Sequence, residues 1–145
     1  MTINDILKNK GQGVSTVGRN TLVDEAIRMM RQHGTGALIV SEDGRLIEGL
    51  VSGHDLIRAF KTHGVDPLMP KTVADIMRRR FATCRPEESL RRVMTRMAAR
   101  GLGHIPVVDD AGLRGVVSLA EIVKGRLKRA EEDAAALRNS VVLPV

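Results

Sequence analysis

Leu90, Val93, Met94 and Met97 stand at i, i+3, i+4 and i+7. That spacing is one apolar face of a helix, and it predicts a helix over about residues 88–100. Sliding the chain by 67 residues lays residues 22–30 on 89–97 and pairs Met30 with Met97. A matching amphipathic helix is therefore predicted over about residues 21–33. Asn20 or Thr21 is placed to cap the first helix. Pro86, Glu87 and Glu88 open the second, where acidic groups favour a helix N-terminus. Gly34 and Gly101 stand where a left-handed residue stops a helix. The same shift lays residues 34–40 on 101–107, and two apolar runs then follow in each half: 37–41 with 46–52, and 104–108 with 113–117. The Asp-Gly and Asp-Asp-Ala-Gly between the runs read as hairpin turns. Short strands at 14–17 and 81–84 precede the helices, and a second helix follows Ser52 and Ser118.

The offset becomes 66 at the last run, where residues 49–52 pair with 115–118 and Asp55 pairs with Glu121. Residues 5–7 pair with 75–77 at offset 70, which leaves a longer loop over residues 8–13 in the first copy. Each copy is thus a β-α-β-β-α unit of about 60 residues, too small for a comfortable core of its own. The expected fold is a mixed α/β one, with the two repeats packed as one pseudo-two-fold module. The expected boundaries are 1–66, 71–126 and a C-terminal extension at 127–145. The last helix runs on from about Leu119 to Asn139. Val123, Leu127, Ala130, Ala134, Leu137 and Val141 are spaced 4, 3, 4, 3, 4, like a coiled-coil seam. This face either pairs with a second copy or packs on the body of the protein.

Charge changes the picture only locally. The chain has 145 residues, 23 of them Lys or Arg and 17 Asp or Glu, for a net charge of +6. Residues 78–100 alone hold eight Arg against Glu87 and Glu88. Arg92, Arg96 and Arg100 repeat every four residues as a solvated helix face would. Arg78, Arg79, Arg80 and Arg85 lie in the preceding loop, where ligand contacts concentrate. Arginine suits forked contacts with phosphate.

The residues carry a family resemblance. Asp75-Ile76-Met77, Glu25-Ala26 with Met30 and Met97, residues 104–109, and Gly49-x-x-Ser52-x-x-Asp55 resemble the cystathionine-β-synthase (CBS) domain pair. The match covers both repeats. It implies two clefts between the repeats that bind adenosine-containing ligands such as AMP, ATP, NAD(H) or S-adenosylmethionine, a regulatory role, and a flat homodimer. Carried over by position, Asp55 would accept the ribose hydroxyls and Ser52 would contact phosphate. A carboxylate suits a vicinal diol, and a helix N-terminus attracts phosphate. Ser-x-x-Asp is equally a capping box that closes the helix start. The resemblance implies that Ala82 and Gly103 line the Ser52/Asp55 cleft, and that Ser15 and Gly36 line the Ser118/Glu121 cleft. Leu50 and Val116 would flank the adenine. His104, with Arg80 and its neighbours Arg78, Arg79 and Arg85, is a candidate phosphate partner; His104 is also readable as a strand-entry residue. Glu121 departs from the expected Asp, so the second cleft is expected to bind more weakly or stay empty.

Two Phe and no Tyr or Trp disfavour a base-stacking nucleic-acid surface and leave an adenine to rest on aliphatic and backbone surfaces. A single cysteine, Cys84, forms no internal disulfide and no thiolate zinc site, and it reads as a buried small hydrophobe. His33 and His63 stand near helix ends, where a cation suits the dipole. No segment has the length of a membrane span or the pattern of a secretory signal, so a cytoplasmic protein is expected. No nucleophile, base and oxyanion set assembles, so no enzyme is expected. The reading is a sensor module for an adenosine-containing nucleotide. Its alternative is a ligand-free interaction scaffold of the same fold.

Overall fold

Gly34 and Gly101 end the two equivalent helices in the same way, with φ of 59° and 63°. Each turns the chain into the left-handed region and returns its N–H to carbonyls of the last turn. The structure, a computed structural model, describes residues 1–10 and 16–140. The elements of the first half are α1 (Ile3–Lys10), β1 (Thr16–Val17), α2 (Val23–His33), β2 (Ala37–Val40), β3 (Gly49–Ser52) and α3 (Gly53–His63). Two short helices follow, α4 (Val65–Leu68) and α5 (Val73–Ile76). The second half adds α6 (Leu90–Arg100), β4 (His104–Asp109), β5 (Gly112–Ser118) and α7 (Leu119–Ser140).

In the first sheet β1 runs parallel to β2, and β2 is antiparallel to β3, with Ala37 opposite Ser52. In the second, β4 and β5 are antiparallel, with His104 opposite Ser118. The strand expected at 81–84 shrinks to one parallel bridge, Cys84 to Val107. Cys84 donates to the Pro106 carbonyl at 3.0 Å and accepts from Val108 N–H at 2.8 Å. Extending the pairing one step back needs an N–H from Pro106, which proline lacks. In the first sheet the residue equivalent to Pro106 is Ile39 of β2, and the pairing of β1 reaches Thr16. Residues 11–15, with Ser15, half of the strand expected at 14–17 and half of the loop expected at 8–13, lie outside the described residues. Lys8 and Lys10, expected in that loop, belong to α1.

The capping expectations also shift. Leu22 caps α2 without a side-chain bond, in place of Asn20 or Thr21. Ser89 caps α6, accepting from Arg92 N–H at 3.2 Å, so Pro86, Glu87 and Glu88 precede the helix.

Alternation along the strands sorts the core into three parts. Leu38, Val40 and Val51 face α2, α3 and α5, with Val23, Leu56, Leu68 and Val73. Ile105, Val107 and Val117 face α6, with Leu90, Val93, Met97 and Ile122. Ala37, Ile39 and Leu50 meet Val116 between the sheets, joining the repeats into one body.

The short helices are exchanged relative to a division at residue 66. Ile3 and Ile6 of α1 are buried in the second repeat's core, and Ile3 N–H donates to the Glu88 carbonyl at 3.0 Å. Val73 of α5 is buried in the first repeat's core, and its N–H donates to the Thr21 carbonyl at 2.8 Å. The two contacts mirror each other down to one glycine. A Cβ on Gly49 would stand 2.5 Å from Met77 Sδ, and one on Gly115 would stand 2.8 Å from Leu7 Cδ2. Helix α7 extends beyond the repeat unit. Val123, Leu127 and Leu137 are exposed along it; Val141 lies outside the described residues. Among the described residues no helix is long and apolar enough to cross a membrane.

Candidate functional site

Ser52 ends β3 in extended conformation and caps α3, so Asp55 falls in the helix's first turn facing the sheet edge. The capping box is fully formed. Asp55 Oδ2 accepts from the Ser52 N–H at 2.9 Å and from its hydroxyl at 3.0 Å, while Asp55 N–H donates to Ser52 Oγ at 3.4 Å. Asp55 is only 5% exposed. Its other oxygen, Oδ1, lies 3.4 Å from Arg78 Nη2 and 3.5 Å from Arg58 Nη1. One carboxylate therefore divides its work: Oδ2 closes the helix, and Oδ1 faces cations.

These groups edge a cavity of about 290 Å³ between the repeats, lined by Leu50, Ser52, His54, Asp55, Arg58, Arg78 and Phe81, and by residues 101–104 across from them. Of the residues expected at this cleft, Leu50, Ser52, Asp55, Gly103 and His104 meet there. Ala82 does not line the cavity; it is buried in the second repeat's core beside Cys84. Arg80 is exposed and absent from the lining; sheet pairing ends at Arg78, and among the described residues nothing holds Arg80 to the cleft. Arg85 is turned away, paired with Glu87 at 2.8 Å and Asp110 at 3.3 Å. Arg79 donates to the Ala74 carbonyl.

Sequence reasoning missed Arg58, His54 and Phe81. Arg58 had a local signal, since i and i+3 share a helix face with Asp55. Phe81, one of two aromatic residues, offers this cleft a ring, so the expectation of purely aliphatic and backbone surfaces does not hold.

The Ser118/Glu121 helix start is built on the same plan. Ser118 N–H donates to Glu121 Oε1 and Glu121 N–H to Ser118 Oγ, both at 3.0 Å. Here, however, Lys10 Nζ lies 3.1 Å from Glu121 Oε1 and 2.6 Å from the Val116 carbonyl. A Cβ on Gly36 would stand 2.9 Å from His104 Nε2, so the imidazole lies over that glycine. His104 thus lines the first cleft and lies over Gly36. Burial pushes its pKa below the ordinary 6.5, and Lys10 and His54 act in the same direction, while Glu121 and Asp55 oppose. Burial also pushes the Cys84 thiol up to about 12, so it is protonated and inert at neutral pH. Among the described residues no His, Cys, Asp and Glu cluster could hold a metal ion.

The model of the CBS domain matches residues 2–62 and 73–128. The chain is 30% identical over 140 residues to the CBS domain-containing protein CBSX3, mitochondrial, of Arabidopsis thaliana, covering 91% of this chain and 68% of that one. Its fold superposes on the CBS-domain containing protein ATU1752 from Agrobacterium tumefaciens with a TM-score of 0.81 and 26% identity, over 87% of this chain and 99% of that one. It also superposes on the CBS domain pair of protein MJ0100, with a TM-score of 0.75 and 23% identity, over 90% and 98% of the two chains. That structure is a complex with 5′-methylthioadenosine and S-adenosyl-L-methionine. Two matched segments, each with its own helix-capping box at a shared interface, make this chain a tandem member of the CBS domain family.

Proposed function

We propose that the chain is a regulatory module that binds an adenosine-containing ligand in the Ser52/Asp55 cleft. The observation that carries this reading is the Asp55 carboxylate, buried on its capping side and turned by Oδ1 into a cavity that also holds Arg78 and His104. A ribose diol donates to such an oxygen. Arg78, His104 and the start of α3 together supply the donors and positive potential that a phosphate needs. Leu50 and Phe81 give apolar surface for a base. The MJ0100 complex supports the ligand class.

Calorimetric titration with AMP, ATP, NADH and S-adenosylmethionine tests this. Binding of at least one is expected, and Asp55→Asn should weaken it at least tenfold, since the isosteric amide leaves one diol hydroxyl without an acceptor. No heat from any of the four at millimolar concentration would overturn the reading.

The exposed Val123, Leu127 and Leu137 of α7 favour a protein contact as well, and we assign that contact to a second copy, forming a homodimer. Light scattering on a size-exclusion column should give twice the chain mass, reverting to one on Leu127→Glu. A scaffold without ligand would keep the dimer and show no nucleotide-dependent rise in thermal midpoint.

A further inference from the structure

Asp55 Oδ1 serves two guanidiniums at once, Arg78 Nη2 at 3.4 Å and Arg58 Nη1 at 3.5 Å. Both distances exceed the roughly 2.7–2.9 Å of a close charge-assisted bond, so each arginine is held loosely. Among the described residues neither guanidinium has another ion-pair partner. The lining of the cleft holds no carboxylate besides Asp55, and its two imidazoles, His54 and His104, can add only positive charge. One positive charge is therefore in excess between the repeats. The two arginines differ in freedom. The Arg78 backbone is bridged to Leu50, and its side chain is 31% exposed. Arg58 stands one turn along α3 from Asp55, and its side chain is 66% exposed, free to swing about its stem.

We propose that this cleft selects adenosine-containing ligands with a phosphate at the ribose 5′ position over those with a neutral thioether or a sulfonium there, and that Arg58, acting with Arg78, is the specificity-determining residue. The inference rests on the reading of the cleft as an adenosine site and names the class of ligand within it. A ribose diol that binds Asp55 Oδ1 competes with both arginines for the same oxygen. A ligand that displaces them must supply another acceptor, since a guanidinium left unpaired in a partly closed cleft is unfavourable. A phosphate supplies it with matching forked geometry, and its about two negative charges more than cancel the excess positive one. The thioether of 5′-methylthioadenosine is a weak acceptor and strands both guanidiniums. S-adenosylmethionine puts a sulfonium on the same carbon and brings like charge towards them. Its carboxylate stands farther out, beyond that cation, on a chain that also carries an ammonium. Arg58 has the room to follow a phosphate, because only its stem is tied to α3.

Calorimetric titration of the full chain with AMP, adenosine, 5′-methylthioadenosine and S-adenosylmethionine tests it. AMP should bind about 10–100-fold more tightly than adenosine or 5′-methylthioadenosine, the worth of a hydrogen bond to a charged group, with S-adenosylmethionine the weakest of the four. Arg58→Met keeps the aliphatic stem, and a melting curve checks that this exposed substitution leaves the fold intact. It should weaken AMP by about tenfold and leave adenosine unchanged. Arg58→Lys, which keeps the charge without the fork, should restore part of the preference. Equal affinity for AMP and adenosine in the wild type, or S-adenosylmethionine binding as tightly as AMP, overturns the proposal and leaves the adenosine reading intact. A preference for AMP that survives unchanged in Arg58→Met, or an equal loss of AMP and adenosine, overturns the assignment to Arg58. Binding by none of the four at millimolar concentration overturns the adenosine reading and this proposal with it.

Discussion

Arg78 and Leu50 exchange both of their backbone hydrogen bonds, at 3.0 and 2.8 Å, forming an isolated antiparallel bridge on the outer edge of β3. The bridge fixes the Arg78 backbone independently of its side chain, and the guanidinium then reaches Asp55 Oδ1 at 3.4 Å. Stability and the proposed ligand contact are therefore separable at this residue. Arg78→Met should leave the thermal midpoint within a degree or two. It should weaken a phosphate-bearing ligand by about 10–100-fold, the loss of one hydrogen bond to a charged group. Calorimetry beside a melting curve reads both. A large fall in midpoint with unchanged affinity would make Arg78 a structural residue alone.

The arginine-rich segment divides by the same criterion. Arg96 grips Glu88 with both ends, Nη2 to Oε1 at 2.6 Å and Nη1 to Oε2 at 3.1 Å, and Nη1 also donates to the Thr83 carbonyl at 3.0 Å. The Glu88 and Arg96 side chains are 19% and 29% exposed, so this is a partly shielded, forked pair tying α6 to the loop before it. Its hydrogen bond to Arg96 holds the Glu88 carboxyl below its ordinary value. Arg96→Met should cost about 1–2 kcal/mol in urea unfolding. Arg92→Met, on an exposed position of the same helix, should cost under about 0.5 kcal/mol. A group whose folded pKa is depressed contributes stability that is present above its unfolded value and lost as pH falls. The Arg96 variant should accordingly lose part of the wild type's acid-side decline below the ordinary carboxylate value of 4.5.

Gly49 is there because Met77 is. A Cβ at residue 49 meets Met77 Sδ at 2.5 Å and the Arg78 carbonyl at 3.1 Å, so the clash is with a side chain first and backbone second. Gly49→Ala should destabilise by about 1–3 kcal/mol, the usual cost of overpacking. It should also disturb the Leu50–Arg78 bridge next to it and so reduce ligand affinity. Trimming the partner in Met77→Ala should recover part of the stability in the double variant, a positive coupling read from a double-mutant cycle. Additive losses would show that the backbone contact, not Met77, sets the requirement for glycine.

What the chain order reveals and what it hides have physical reasons. The duplicated helix periods, Gly34 and Gly101, and Ser52 with Asp55 are local signals, carried by residues within a few positions of each other, and they were legible. The bridge that recruits Arg78, the exchange of α1 and α5 between cores, and the reach of Lys10 to Val116 depend on contacts far apart in sequence. Neither period nor composition marks such contacts. Pro106 is an intermediate case. It removes one donor from β4, and that suffices to reduce the strand at 81–84 to a single bridge at Cys84. The consequence becomes visible only once the backbone nitrogen of Pro106 is known to lie on the Cys84 side of β4, the side away from its partner Val116 in β5. The scarcity of aromatics predicts aliphatic and backbone walls, yet scarcity says nothing about where the few reside, and Phe81 lines the cleft.

His104 gives the module a pH dependence whose sign follows from its surroundings. The ring is half-buried at the start of β4, opposite Ser118 and against Gly36, with Lys10 and Glu121 on one side and His54 and Asp55 on the other. Burial is the first cause of its lowered pKa. The two carboxylates pull the other way and do not prevail. With the folded value below 6.5 and the unfolded value near it, the unfolded chain binds more protons in the interval between them. Stability is therefore complete above about pH 6.5 and falls as pH drops through that interval towards the folded value. His104→Gln keeps a polar side chain of similar reach and removes the titration. The difference in thermal midpoint between pH 7.5 and pH 5.5 should be smaller in this variant than in the wild type. His33, His54 and His63 are present in both proteins and cancel in the comparison. A phosphate placed beside the ring would favour the imidazolium and raise its pKa, so saturating AMP should flatten the wild-type slope towards that of the variant. An unchanged slope in His104→Gln would mean that the folded chain hydrates this ring as well as the unfolded one does.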